Sequence, residues 1–273
     1  MHVVDADAKI MPLPAEPFAL IVGQALRHDD ADALEQAMRR MGLRPERLTE
    51  TGGDGRAAAP RFRLRIGALS MFAGPAGDVA LDDADPVHPS TSLLAASLPT
   101  DWRMHCWTFV PEDGGKQATA GDRPDHMREL FKLMVLAIDL FDSSHIFWSP
   151  AKLWSDAQQF RASVAEMLVS GMPPVLHLVA FRRRDAGDGE IVGTRGLSLF
   201  AGQELEGRMP HGWTVAEMVK RLARLALDMM LNGPVGGPER LRGLDAGEWV
   251  MLSPQTAGGS GPPLVRVEFG GRD

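Results

Sequence analysis

The chain has 273 residues, 44% of them hydrophobic and 24% charged, with a formal net charge of −7. That is length enough for one large domain or two small ones, in a composition ordinary for a soluble globular protein. The negative balance argues against a whole-molecule attraction to nucleic acid or anionic membrane, and the single cysteine, Cys106, excludes an intramolecular disulfide and a cysteine-based zinc site.

After a proline-rich lead-in over 1–16, the run FALIVGQA (18–25) reads as a buried strand and DDADALEQAMRRMG (29–42) as a helix with early aspartates and Gly42 as its stop. TGGDGRAAAP (51–60) reads as a flexible loop. RFRLRIG (61–67) alternates with period two and predicts a half-exposed strand, with ALSMFAG (68–74) as a second strand, TSLLAASL (91–98) as a short helix and MHCWTFV (104–110) as a strand. The apolar helix around 126–141 carries Arg128, Glu129, Lys132 and Asp139 and is too short and too charged to cross a bilayer. SHIFWSP (144–150) predicts a strand, and SDAQQFRASVAEMLVSG (155–171) a helix with Ser155 and Gln158 at capping-box spacing. VLHLVAF (175–181) and TRGLSLFAG (194–202) read as strands, and 214–233 as a helix opened by Thr214 and Glu217 and closed at Gly233. EWVMLS (248–253) and LVRVEF (264–269) are the last strands.

The phrase LSMFAG (69–74) returns as LSLFAG (197–202), 128 residues later, and three other elements share that offset. This predicts an α+β protein built by duplication, with two tandem ferredoxin-like βαββαβ modules of mainly antiparallel sheet. The expected boundaries are 17–120 for the first module, 121–143 for a connecting helix, and 144–273 for the second module with an extra C-terminal strand. The repeated phrase is then core, with Phe72 and Phe200 on equivalent strands.

Thr194-x-Gly196-Leu197-x-x-Phe200-x-x-x-Glu204-Leu205-Glu206, with IFWSPA and PPVLHLVAFRR upstream, resembles the signature of a bacterial family of uncharacterised domains, over roughly 144–253. The resemblance implies a cytoplasmic bacterial protein, sometimes encoded beside secretion or toxin–immunity genes, and brings no catalytic residues with it. The absence of an apolar signal-peptide core in MHVVDADAKIMPLPAEP and the 24 arginines against 5 lysines agree with a cytoplasmic protein of a GC-rich bacterium.

Glu204 and Glu206 stand two apart on a predicted strand, so their carboxylates share a face and could act as an acid/base pair or take a divalent cation. The bland alternative pairs them with arginines such as Arg195 or Arg208. His145 and His177, on predicted strands of the second module, would approach each other if those strands pair. Cys106 reads as a core thiol, because its neighbour His105 points to the opposite strand face and cannot activate it. Trp148 and Trp154 read as core anchors. No spacing resembles a cofactor, phosphate or metal motif, and Arg182-Arg183-Arg184 reads as a solvated strand end rather than a nucleic-acid patch. The sequence therefore favours a non-enzymatic binding protein, an accessory or immunity-type factor with a protein partner. It has no expected nucleic acid or membrane insertion, and self-association is left open. The alternative is a hydrolase or small-ligand enzyme using Glu204 and Glu206 in a cleft between modules.

Overall fold

A computed structural model describes residues 19–23, 31–48, 60–67, 69–94, 97–112, 124–187, 189–255 and 261–271. The lead-in and the glycine-rich stretch 51–59 lie outside them. The protein is α+β, with seven α-helices and two sheets among the described residues. It divides into two compact units, Met1–Pro174 and Val175–Asp273.

The first unit runs β1 (Ala19–Gly23), α1 (Ala31–Arg40), β2 (Arg44–Leu48), β3 (Arg61–Ile66), β4 (Leu69–Pro75), α2 (Asp78–Asp83), β5 (Ser92–Leu93), a 3-10 turn (Trp102–His105), β6 (Cys106–Pro111), α3 (Pro124–Leu140), β7 (Ser143–Trp148), β8 (Leu153–Asp156) and α4 (Ala157–Ser170). Its eight strands lie in the order β2-β3-β4-β6-β1-β7-β8-β5, antiparallel throughout except for β5 beside β8. Strand alternation sends Ile21, Phe62, Leu64, Met71, Phe109 and Ile146 to one face, all at most 2% exposed, and the α3 residues Leu130, Phe131, Met134 and Ile138 are buried with them. α4 is capped by the Asp156 carboxylate, which accepts from the Gln159 backbone N–H at 2.8 Å. The cap lies one residue later than the Ser155–Gln158 spacing predicts, because Ser155 is drawn into β8 and buried.

The second unit runs α5 (Val175–Leu178), β9 (Ala180–Asp185), β10 (Glu190–Arg195), α6 (Ser198–Ala201), β11 (Glu204–Arg208), α7 (Val215–Asn232), β12 (Glu239–Arg242), β13 (Trp249–Gln255) and β14 (Leu264–Gly270). The sheet order is β12-β13-β14-β11-β10-β9, with only β11 and β14 parallel. α7 opens with the Thr214–Glu217 capping box that the spacing predicts. Val192, Leu205, Val250, Leu252, Val265 and Val267 are buried on the sheet face under α7. Gly207 lets the helix approach closely: a Cβ there would stand 2.6 Å from Met218 Cε.

Several expectations change. The two copies of the repeated phrase do not occupy equivalent elements: 69–74 lies within β4, whereas Ser198–Ala201 is the short helix α6 and Phe200 is only half-buried. Since that equivalence is what a duplication requires, the duplication expectation fails. β7 and β8 pair into the first sheet, next to β1, so the division falls at 174/175 rather than at 143/144. β1 lies between β6 and β7, so 17–120 does not form a self-contained four-stranded module. Residues 92–93 form a strand, not part of a helix, and 175–178 form a helix, not the start of a strand.

Candidate functional site

Glu204 and Glu206 both lie on β11, projecting from the face opposite Leu205 and Gly207, as the two-residue period requires. Their circumstances differ. Glu204 is 8% exposed. Its Oε1 accepts the backbone N–H groups of Gly196 at 2.9 Å and Ser198 at 3.0 Å, and its Oε2 accepts the Thr194 hydroxyl at 2.7 Å. Thr194 Oγ1 in turn accepts the Leu205 N–H at 2.7 Å. The carboxylate therefore fastens the turn from β10 into α6, satisfying amides that α6 leaves open at its start.

That network gives the Thr194-x-Gly196…Glu204 pattern a physical cause. The threonine supplies a hydroxyl that both donates and accepts, the glycine adopts φ 93, and the glutamate supplies two acceptor oxygens. With three donors on its two oxygens, this carboxylate is engaged in holding the turn rather than left open to a ligand. Glu206, half-buried, pairs with Arg184 Nη2 at 2.5 Å across the sheet. Arg184 thus fills the part the sequence offered to Arg195 or Arg208.

The two histidines fall in different units, and only His145 lies on a strand. His145 is on β7 in the first unit, with Ser144 Oγ 2.9 Å from its Nδ1 and Asp156 opposite on β8; His177 is buried on α5 in the second unit. The strand pairing that would join them does not form. Burial holds the His145 pKa below its usual value, against the opposing pull of Asp156. Cys106 is buried, its thiol donates to the Trp102 carbonyl at 3.1 Å, and burial pushes its pKa up to about 12 despite the nearby Arg103 charge. It is a packing thiol, not a nucleophile. Trp148 and Trp154 are core, 1% and 0% exposed. Among the described residues no group of three or more His, Cys, Asp or Glu is placed to hold a metal ion, and no helix is long and apolar enough to cross a membrane.

Two features escaped the sequence reading. In the first unit a cavity of about 850 Å³ opens on the sheet face away from α3, with Phe72, Val110 and Phe147 in its lining, Arg61 on β3 and Asp78 on α2. In the second unit Arg221 of α7 is buried in a bidentate pair with Glu248, Nε–Oε1 2.8 Å and Nη2–Oε2 2.7 Å, and its guanidinium lies 4.0 Å from the Trp213 ring centroid. The pair holds the Arg221 pKa above and the Glu248 pKa below their ordinary values, chiefly through these hydrogen bonds. Nothing in the local sequence joins positions 221 and 248. Only Arg221 on the apolar stripe of α7, between Met218 and Leu225, hints at a buried cation.

No family model matches the chain, and neither a curated protein nor a solved structure matches it.

Proposed function

We propose that this is a non-enzymatic binding protein that acts through a protein partner. The observation that carries this reading is the engagement of Glu204: the strongest acid/base candidate in the sequence is a structural clamp holding the β10–α6 turn. Glu206 is ion-paired, Cys106 is an inert buried thiol, and the two histidines stand in separate units. The signature around Thr194–Glu206 supports a bacterial accessory or immunity-type factor working in the cytoplasm.

The double change Glu204→Gln, Glu206→Gln tests this. An amide at 204 places an NH2 group where an acceptor is needed, so stability falls by about 1–3 kcal/mol in a thermal or urea melt. Added Mg2+, Ca2+ or Zn2+ leaves the wild-type melt unchanged. A double variant as stable as wild type, together with cation-dependent stabilisation of the wild type, would restore the paired glutamates as a ligand site.

A further inference from the structure

The second sheet has one face under α7, and the short helices α5 and α6 contact α7 on that same side. Among the described residues of this unit, no helix covers the other face. Strand alternation and register place Arg182 and Arg184 (β9), Arg195 (β10), Arg208 (β11), Arg266 (β14) and Arg240 (β12) on that uncovered face. Three carboxylates share it: Glu204, locked in its turn, Glu206 on Arg184, and Glu268, whose Oε1 is 3.8 Å from Arg266 Nε. With Arg242, two residues along β12 from Arg240, seven arginines face three glutamates there, although residues 175–273 as a whole carry twelve Lys and Arg against twelve Asp and Glu. Arg184, Arg208, Arg240 and Arg266 are exposed, the Arg184 and Arg266 side chains by 56% and 59%, while Arg182 and Arg195 are half-buried.

We infer that this face docks an acidic segment of the partner protein, an inference that rests on the binding-protein reading above. Guanidinium groups pair with carboxylates through two parallel hydrogen bonds, and arginine clusters are a recurring way of reading acidic motifs. A depression of about 370 Å³ lies between Arg208 and Arg266, with Glu206 and Glu268 as well as Ile191 and the Pro210–His211 turn in its lining, so an acidic side chain entering it would pair with the arginines at its rim in place of these glutamates. Single-stranded nucleic acid, which stacks its bases on open aromatic platforms, fits this face less well. Trp249 is the aromatic residue this face presents, and its indole lies against Gly270 with the Arg240 guanidinium 4.7 Å from the ring centroid.

The test uses the full chain and a fluorescein-labelled peptide of alternating Glu and Leu, read by fluorescence anisotropy at low salt, with an oligothymidylate as competitor. Arg182→Glu with Arg266→Glu should weaken peptide binding by about tenfold or more, and Arg39→Glu with Arg40→Glu on α1, an equal change in net charge, by less than about twofold. The glutamine versions of the face variant should show the same order with a smaller loss, and they guard against misfolding of the reversed ones. Absence of peptide binding, equal weakening by both pairs, or displacement of the peptide by the oligothymidylate would overturn the inference and leave the binding-protein reading standing. Recovery of a cleaved or modified peptide, seen by mass spectrometry, would overturn both.

Discussion

The two sheets bury their helix-covered faces in the same manner and treat their second faces in opposite ways. In the first unit the far side of β1, β6, β7 and β8 carries a second, smaller core of Val22, Leu81, Ala84, Trp102, Cys106, Phe147 and Trp154, closed by α2 and the Trp102 turn. In the second unit the corresponding side is charged and exposed, with arginines from five of its six strands. The strands record the difference. CWTFV and IFW are continuous apolar runs, as expected where both faces are covered, whereas LVRVEF alternates apolar and charged residues with one face solvated. RFRLRI in β3 also alternates, and there Arg63 pairs with Glu46 at 3.1 Å and Glu112 at 2.7 Å. Double coverage in the first unit is therefore local to the strands beneath α2, and charge returns beyond it.

The largest effect should come from breaking that second core. Trp154 is fully buried, and its indole N–H donates to the Ala84 carbonyl at 2.7 Å, tying β8 to the end of α2. Trp154→Ala should cost about 3–5 kcal/mol in a urea titration. A loss under about 1 kcal/mol would mean that α2 is a loose cover rather than a wall of a core.

An effect of about 3–5 kcal/mol, or slightly less, is expected for Arg221→Met, which strands the buried Glu248 carboxylate, while adding Glu248→Leu should recover most of the loss. The pair also sets a pH dependence. The Glu248 pKa is depressed in the folded state, so its stabilisation is complete above the ordinary glutamate pKa of about 4.3 and disappears as pH falls through the lower folded value. Urea midpoints followed downward from neutral pH should fall more steeply for wild type than for Glu248→Gln. Parallel curves would show that the pair is not coupled to folding. The smallest effect is at the surface: Thr214→Ala removes the hydroxyl that caps α7 and should cost about 1 kcal/mol in a urea titration, a loss that narrows in acid as Glu217, whose pKa the Thr214 hydrogen bonds lower, becomes protonated.

Much of the local structure was legible in the chain. β1, β3, β4, β6, β7, β13 and β14 lie where periodicity and apolar runs put them, and so do α1, α3 and α7. The misses fall where a short segment took its conformation from distant partners. β5 is two residues long and exists because Ser92 and Leu94 donate backbone hydrogen bonds to Lys152 and Trp154. Residues 175–178 are apolar enough for a buried strand or a buried helix, an ambiguity that period alone does not resolve. At the candidate site, the positions of Glu204 and Glu206 on one strand face were readable. Their partners were not, because the amides of 196 and 198 come from a turn and Arg184 from another strand.

By itself the sequence determined many of the residues that are buried and where the long helices α1, α3 and α7 lie. Those properties follow from side-chain chemistry and short-range geometry. The fate of the repeated phrase was decided only by tertiary structure. LSMFAG is held extended because β3 and β6 hydrogen-bond it from both sides. LSLFAG folds into a helical turn because the Glu204 carboxylate binds the amides at its start and Gly202, at φ 70, closes its end. Six nearly identical residues have no strong preference of their own, and the hydrogen-bond partners that settle the matter are brought to them by the rest of the fold.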